Sequence, residues 1–280
     1  MPENKSEYDL NPHTRLRVHA SHIKSFLMCP AQFYFKFVKR VKAPASSAAI
    51  LGRSLHKAAE INLRQKEQTF RDLPEPDIIG QFEQAWDESS KEPIHFDEDE
   101  KPGEVKDMGV SCTRSLARII MPTIQPEPGT VEMPLEAPVI NRGFDVAGRL
   151  DVIDQRKFVR DFKTTGAYPG KDKLTGKYRP TAGDIVQVTQ YSLMAKAAKR
   201  EIAGTELSYI HKKIAKGEII PKVYPAEFQP TTDHESAFLR IADKLVDAVN
   251  REAYVPNPTC FVCSPEKCGY WHLCRGGAIF

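Results

Sequence analysis

The stretch that most constrains this chain runs from Val146 to Thr164: Val-Ala-Gly-Arg-Leu-Asp-Val-Ile-Asp-Gln-Arg-Lys-Phe-Val-Arg-Asp-Phe-Lys-Thr. Residues 146–153 alternate apolar with polar or small positions, the pattern of a half-buried strand. The polar run 154–157 supplies a turn, and Phe158 to Lys163 returns as a second strand. Side chains two apart on a strand share a face, so Asp161 and Lys163 point the same way. The hairpin brings Asp151 beside them. Two carboxylates held this close repel unless a divalent cation sits between them. Hard oxygen ligands suit Mg²⁺ or Mn²⁺. Such an ion lowers the pKa of a bound water and polarises a phosphoryl oxygen, while the lysine orients that water or offsets charge at the phosphate. The trio is a plan for cutting a phosphodiester bond. The plainer alternative is a same-face Asp161–Lys163 ion pair with Asp151 solvated, and Asp-x-Lys alone does not separate the two.

At 280 residues the chain has room for one large domain or two modest ones. No apolar run approaches the roughly 18 residues that span a bilayer, and the polar N-terminus lacks a signal-peptide core. The expectation is an intracellular, cytoplasmic protein with no membrane partner. A net charge of +3 permits a local nucleic-acid-binding patch without arguing for one. Six cysteines in such a chain suggest metal ligands more than disulfides, and four of them crowd into the last 21 residues.

Residues 1–18 read as a flexible lead. Ser21 is a candidate cap of a short helix, broken at Cys29-Pro30. A second helix starts there, with Phe33, Tyr34 and Phe37 as its buried stripe. Residues 47–66, with Ser47 as cap, form a helix that carries Gly52 and His56; by itself His56 is an ordinary helix histidine. Residues 67–122 read as a helical insertion, with helices near 76–89 and 104–121 and an acidic, solvated run at 97–100. Cys112 reads as buried packing. A strand at 131–140 carries Glu132 and turns at 141–143 into the hairpin. The loop 165–183 offers Lys171, Lys173, Lys177 and Arg179 to a nucleic-acid backbone and Tyr168 and Tyr178 to its bases; a plain mobile loop is the competing reading. A helix capped by Asp184 places Gln187 and Tyr191 on one face. Two strands (205–213, 218–227) and a helix (232–252) follow. Cys260, Cys263, Cys268 and Cys274 could converge on one soft metal centre such as Zn²⁺.

Gly148-Arg-Leu-Asp151, followed ten positions later by Asp161-Phe-Lys163, resembles the core of the PD-(D/E)XK nucleases. The RecB-like branch looks closest, with AddB and the iron–sulfur CRISPR-associated exonucleases inside it. The Pro that names the superfamily is missing, but Gly-x-x-Asp is an accepted form in that branch. Cys29-Pro30, Gly52-x-x-x-His56 and Gln187-x-x-x-Tyr191 fall in the matching order. The resemblance implies an α/β fold: a restriction-endonuclease-like core whose mixed β-sheet is flanked by helices. It also implies a helical insertion and a C-terminal cysteine-rich cluster segment. The nuclease domain would span 19–254, and segment 255–280 would pack against the Cys29 region.

The resemblance further implies that His56, Asp151 and Asp161 hold Mg²⁺ or Mn²⁺ and that Lys163 assists the water. Gln187 and Tyr191 would help bind or position DNA. Glu132 stands where such sequences often carry an acidic residue; an active-site role and a strand-edge charge both remain open. A structural 4Fe-4S cluster on Cys29, Cys263, Cys268 and Cys274 would tie the chain ends together, with Cys260 as alternate ligand and Zn²⁺ as alternative metal. The implied activity is a DNA exonuclease on single-stranded or frayed ends, in recombination, repair or processing, with a recombination or helicase protein as a conceivable partner. A non-catalytic DNA-binding recombination subunit of the same fold is the runner-up, and a zinc-stapled interaction protein the third reading.

Overall fold

The expected hairpin exists, but it is shorter than its sequence suggests and Asp151 sits at a break in it. The computed structural model describes residues 15–274; most of the expected lead, and the end of the cysteine-rich segment, lie outside the described residues. Leu16–Val18 is already a strand, β1, so the lead ends earlier than expected. Helix α1 spans Ala20–Met28 and is capped by His19, with His22 reciprocating, not by Ser21. Cys29 adopts an extended backbone, and α2 (Pro30–Phe33) restarts with Pro30 in its first turn. A wide helical turn at Tyr34–Val38 follows. Phe33 and Phe37 are buried as expected, while Tyr34 stacks on Tyr254.

After β2 (Ala45–Ser46) comes α3, Ser47–Thr69, capped by Ser46 and not Ser47. Adjacent serines are equally able caps; Ser47 instead donates to Glu100 at 2.5 Å. The insertion consists of α4 (Glu75–Ser89), β3 (Ile94–His95) and α5 (Pro102–Ser115). Two tighter or wider helical turns extend α5 to Thr123. Then come β4 (Met133–Pro138), β5 (Phe144–Leu150), β6 (Val152–Ile153) and β7 (Phe158–Thr165). Helix α6 (Ala182–Ala197) is capped by Thr181, which accepts from the Asp184 amide; Asp184 lies one turn in, correcting its assignment as cap. Strands β8 (Gly204–His211) and β9 (Val223–Phe228), helix α7 (Thr232–Asn250) and a short α8 (Trp271–Cys274) complete the order.

The sheet topology explains the break at Asp151. β1, β5 and β4 form one sheet, and β6, β7, β8 and β9 a second. β7 and β8 are parallel, and β6 and β9 flank them antiparallel, so the sheet is mixed. Asp151 falls between β5 and β6, where the chain passes from one sheet to the other. The turn that follows is locked by Asp154, which accepts from the amides of Arg156 and Phe158 and from the buried Arg160 guanidinium. Arg160 also donates to Glu206 at 2.6 Å. A buried guanidinium with two carboxylate partners fixes the hairpin against twisting.

Two cores lie on opposite faces of β7. Val159 faces a cluster with Val188, Tyr191, Leu207 and Leu245. Phe162 faces the other, with Leu55, Phe82, Leu116 and Ile210. Alternation then places Asp161 and Lys163 on the α6 side and the Phe162 ring on the α3 side. Gly148 has a separate task. A Cβ there would overlap the Gln190 amide of α6, which donates to the Ala147 carbonyl at 2.6 Å. A larger residue would push that amide off the carbonyl, so glycine keeps the bond between helix and strand.

Candidate active site

Three carboxylates, one histidine and one lysine meet at the strand break, supplied by α3, the residue before β4, the β5–β6 junction and β7. His56 reaches the site from α3. Its Nε2 lies 2.8 Å from the Phe162 carbonyl, which can only accept, so Nε2 carries a proton. Nδ1 is thereby turned to Asp151 Oδ2 at 3.1 Å. Asp151 also accepts from the Phe162 amide at 3.4 Å. Glu132 has a left-handed backbone with φ of 52°, and its amide donates to the Asp151 carbonyl at 2.8 Å. That bend brings its carboxylate to the same point. His56, Glu132 and Asp151 each offer one ligand atom within 4.8 Å of the others.

Asp161 is fully buried and stands outside that cluster. Its Oδ1 accepts from Gln187 at 2.9 Å, from the Tyr191 hydroxyl at 2.9 Å and from Lys163 at 3.1 Å. Its Oδ2 has no hydrogen-bond partner among the described residues, with the Lys163 Nζ 2.8 Å away as its charge partner. Gln187 ties the group together, accepting from Lys163 and from Lys24, each at 3.1 Å.

The electrostatics describe a site short of positive charge. Burial pulls His56 down, but Asp151 outweighs it and lifts the imidazole to about 9. Burial, with Asp151 beside it, pushes Glu132 up to about 7. Asp161 is raised by burial and by Asp151 against the pull of Lys163. Asp151 is lowered: burial would raise it, and His56 and Lys163 outweigh that. Burial works against the Lys163 ammonium, yet Asp161 and Asp151 hold its pKa above the usual value. Glu132 and Asp161, unlike Asp151, are thus harder to ionise than free carboxyls, as acids crowded without a cation are.

Sequence reasoning named His56, Asp151, Asp161 and Lys163, and the structure brings all four together with Glu132, which the sequence left open. Gln187 and Tyr191 contact Asp161 directly. Lys24 was missed. No local signal marks it, since it meets Gln187 only because α1 packs on α6. Lys171 and Arg179 lie apart, in the loop after β7: Lys171 sits 4.7 Å over the Tyr178 ring, and Arg179 is 3.7 Å from Asp172.

At the far side of α1, Cys29, Cys260, Cys263, Cys268 and Cys274 line one cavity walled by Phe35, Pro256, Tyr270 and Trp271. All five thiols are free. Burial and the neighbouring cysteines push Cys263 and Cys268 up. Thiols crowded like this resist becoming thiolates together unless a metal neutralises them.

A model of the PD-(D/E)XK nuclease superfamily matches residues 17–275. The chain belongs to this superfamily. Membership implies phosphodiester hydrolysis. A crystal structure described as "Putative exonuclease" from Eubacterium rectale is similar, with a TM-score of 0.60 and 14% identity over 94% of this chain and 91% of that one. At that identity the likeness shows the restriction-endonuclease-like fold alone. A second solved structure, SSO0001, shares 15% identity over 88% of this chain and 95% of that one, at a TM-score of 0.31. No curated protein matches the chain. No helix among the described residues is long and apolar enough to cross a membrane.

Proposed function

We infer that this nuclease hydrolyses DNA from single-stranded or frayed ends, using Mg²⁺ or Mn²⁺, in recombination, repair or related processing. The observation that carries the reading is the convergence of His56, Glu132 and Asp151 within 4.8 Å, beside a buried Asp161 oxygen that lacks a hydrogen-bond partner. A mixed set of three carboxylates and one imidazole suits these two ions. His56 would bind through Nδ1, since the Phe162 carbonyl holds the proton on Nε2. When bound, the ion supplies Lewis acidity and an acidified water.

The remaining chemistry belongs to the chain. Lys163, fixed by Asp161 and Gln187, keeps its charge and offers N–H donors to the attacking water or a phosphate oxygen. Tyr191 and Gln187 hold Asp161 in one rotamer, so DNA positioning by these two residues acts through the acid they grip. Lys24, on the open side of Gln187, can meet a phosphate next to the one being cut. We assign the five-thiol cavity to a structural 4Fe-4S cluster, with Cys29, Cys263, Cys268 and Cys274 as ligands and Cys260 as alternate; Zn²⁺ is the other occupant this donor set suits.

The deciding experiment compares linear and circular single strands of one sequence, end-labelled or internally labelled, with Mn²⁺. Linear strands should shorten from an end, circles should survive, and EDTA should stop the reaction. Binding with no cleavage in any metal would make the protein the non-catalytic DNA-binding subunit instead. Visible absorbance bleached by dithionite, with iron and sulfide by analysis, would separate the cluster from zinc.

A further inference from the structure

The sheet face that carries Asp161 and Lys163 does not end at Lys163. In register, Lys163 lies opposite Tyr209, Thr165 opposite His211, and Tyr209 opposite Tyr224. Paired residues point to the same face. The catalytic face therefore runs on through His211 and Tyr224 toward the sheet's end. There the loop 166–181 folds Tyr168 flat onto His211, with centroids 4.2 Å apart and planes 14° apart. Tyr224 meets Tyr168 and Tyr178 edge-on at 5.9 and 4.9 Å. Tyr168 is 69% exposed although it is large and apolar. One ring face is thus fixed by His211 and the other is open. The Nε2 of His211, buried in this stack, has no hydrogen-bond partner among the described residues.

Charge gathers at the same place. The loops 166–181 and 212–222 meet beside this stack, the Lys212 amide donating to the Thr165 carbonyl at 2.8 Å. Each loop carries four Lys or Arg residues against a single carboxylate. The whole chain is only +3, so the rest of the protein is net acidic. Some of these cations form exposed ion pairs, as Lys177 does with Glu227 at 3.3 Å. Such pairs are weak and exchange readily for phosphates. Rigid open rings ringed by mobile cations are what an unpaired strand needs, because a stacked base must be free of its complement.

We propose that the Tyr168–His211–Tyr224 platform, with the cations of the two loops, is a binding site for single-stranded DNA that holds the strand leading away from the reacting phosphate. The choice of DNA rests on the nuclease reading above; the stacking and charge do not. The strand's bases stack on Tyr168, and its phosphates meet the two loops.

The test measures anisotropy of a fluorescent oligothymidylate with the full-length protein in EDTA, where nothing is cut. Tyr168→Ala should weaken binding about tenfold, and Tyr168→Phe should bind like the wild type, because the ring and not the hydroxyl carries the contact. Lys171→Ala should lower the slope of log affinity against log salt by about 0.7. A duplex of the same length should bind more weakly than the single strand. The proposal fails if the wild type does not bind the oligonucleotide, if Tyr168→Ala binds as tightly as the wild type, or if the duplex binds as well. Melting curves confirm that the variants are folded. Hydrolysis of a small phosphodiester by the wild type with Mn²⁺ reports on the nuclease reading separately, since the binding comparison needs no turnover.

Discussion

Asp151 and Asp161 are two carboxylates of one hairpin, yet they live in opposite worlds. Asp151 lies at the junction of two sheets, on the α3 side, with His56 and Glu132 around it. Asp161 lies on the α6 side, wholly buried, gripped by Lys163, Gln187 and Tyr191. The first is held below the usual carboxylate range and the second above it. In the reading proposed above, the first half supplies most of a cation's ligands, and the second adds one buried oxygen and holds a lysine beside it. The difference teaches that a short Asp…Asp-x-Lys pattern is two devices joined across a strand, each with its own support.

The largest effects should come from breaking either half. Asp151→Ala and Asp161→Ala should each lower cleavage by about a thousandfold or more. They should part in Mn²⁺ calorimetry. Asp151→Ala loses the binding heat, whereas Asp161→Ala keeps a weakened site; equal loss in both would dissolve the distinction.

The next effect is pH-dependent and belongs to the Asp151 half. Both raised groups must shed a proton before they can act as ligands, Glu132 near 7 and His56 near 9. Mn²⁺ affinity should therefore climb about a hundredfold per pH unit below 7, where two protons leave, and about tenfold per pH unit between 7 and 9, where one leaves. Stability of the metal-free protein runs the other way. A group whose pKa is raised on folding stabilises fully below its unfolded value and loses that contribution as pH passes its folded value. Glu132 sheds its share between about 4.5 and 7, and His56 between about 6.5 and 9. The gap between melting temperatures in EDTA and in Mn²⁺ should widen steadily from pH 5 to 9, and a constant gap would exclude both residues as ligands.

Smaller changes sharpen the Asp161 half. Gln187→Ala removes contacts to Asp161, Lys163 and Lys24 together and should cost about ten- to a hundredfold in kcat. Lys24→Ala, a partly exposed cation, should cost only a few-fold, chiefly in KM for a polynucleotide. A larger loss in kcat for Lys24→Ala would place that ammonium at the reacting phosphate itself.

Much of this was legible because strands encode faces. The alternation Val159, Asp161, Lys163 puts both charges on one side without further information. The start at Thr232 was readable to the residue, but caps were not always, because Ser46 and Ser47, or Thr181 and Asp184, offer equivalent capping oxygens. Glu132 was undecidable, since its placement depends on a left-handed backbone that a non-glycine residue adopts only when its surroundings enforce it. Lys24 was invisible for a different reason: its partner Gln187 is 163 residues away, and nothing on α1 announces the packing.

Helix α1 joins the two ends of the molecule's chemistry. It carries Lys24 to Gln187 at one side and leads into Cys29 at the other, where the Asn257 amide meets that sulfur from 228 positions downstream. Whatever shifts that sulfur therefore pulls on the same nine-residue rod that presents Lys24. A disturbance in the cysteine cavity has a short, stiff route to the lysine on Gln187.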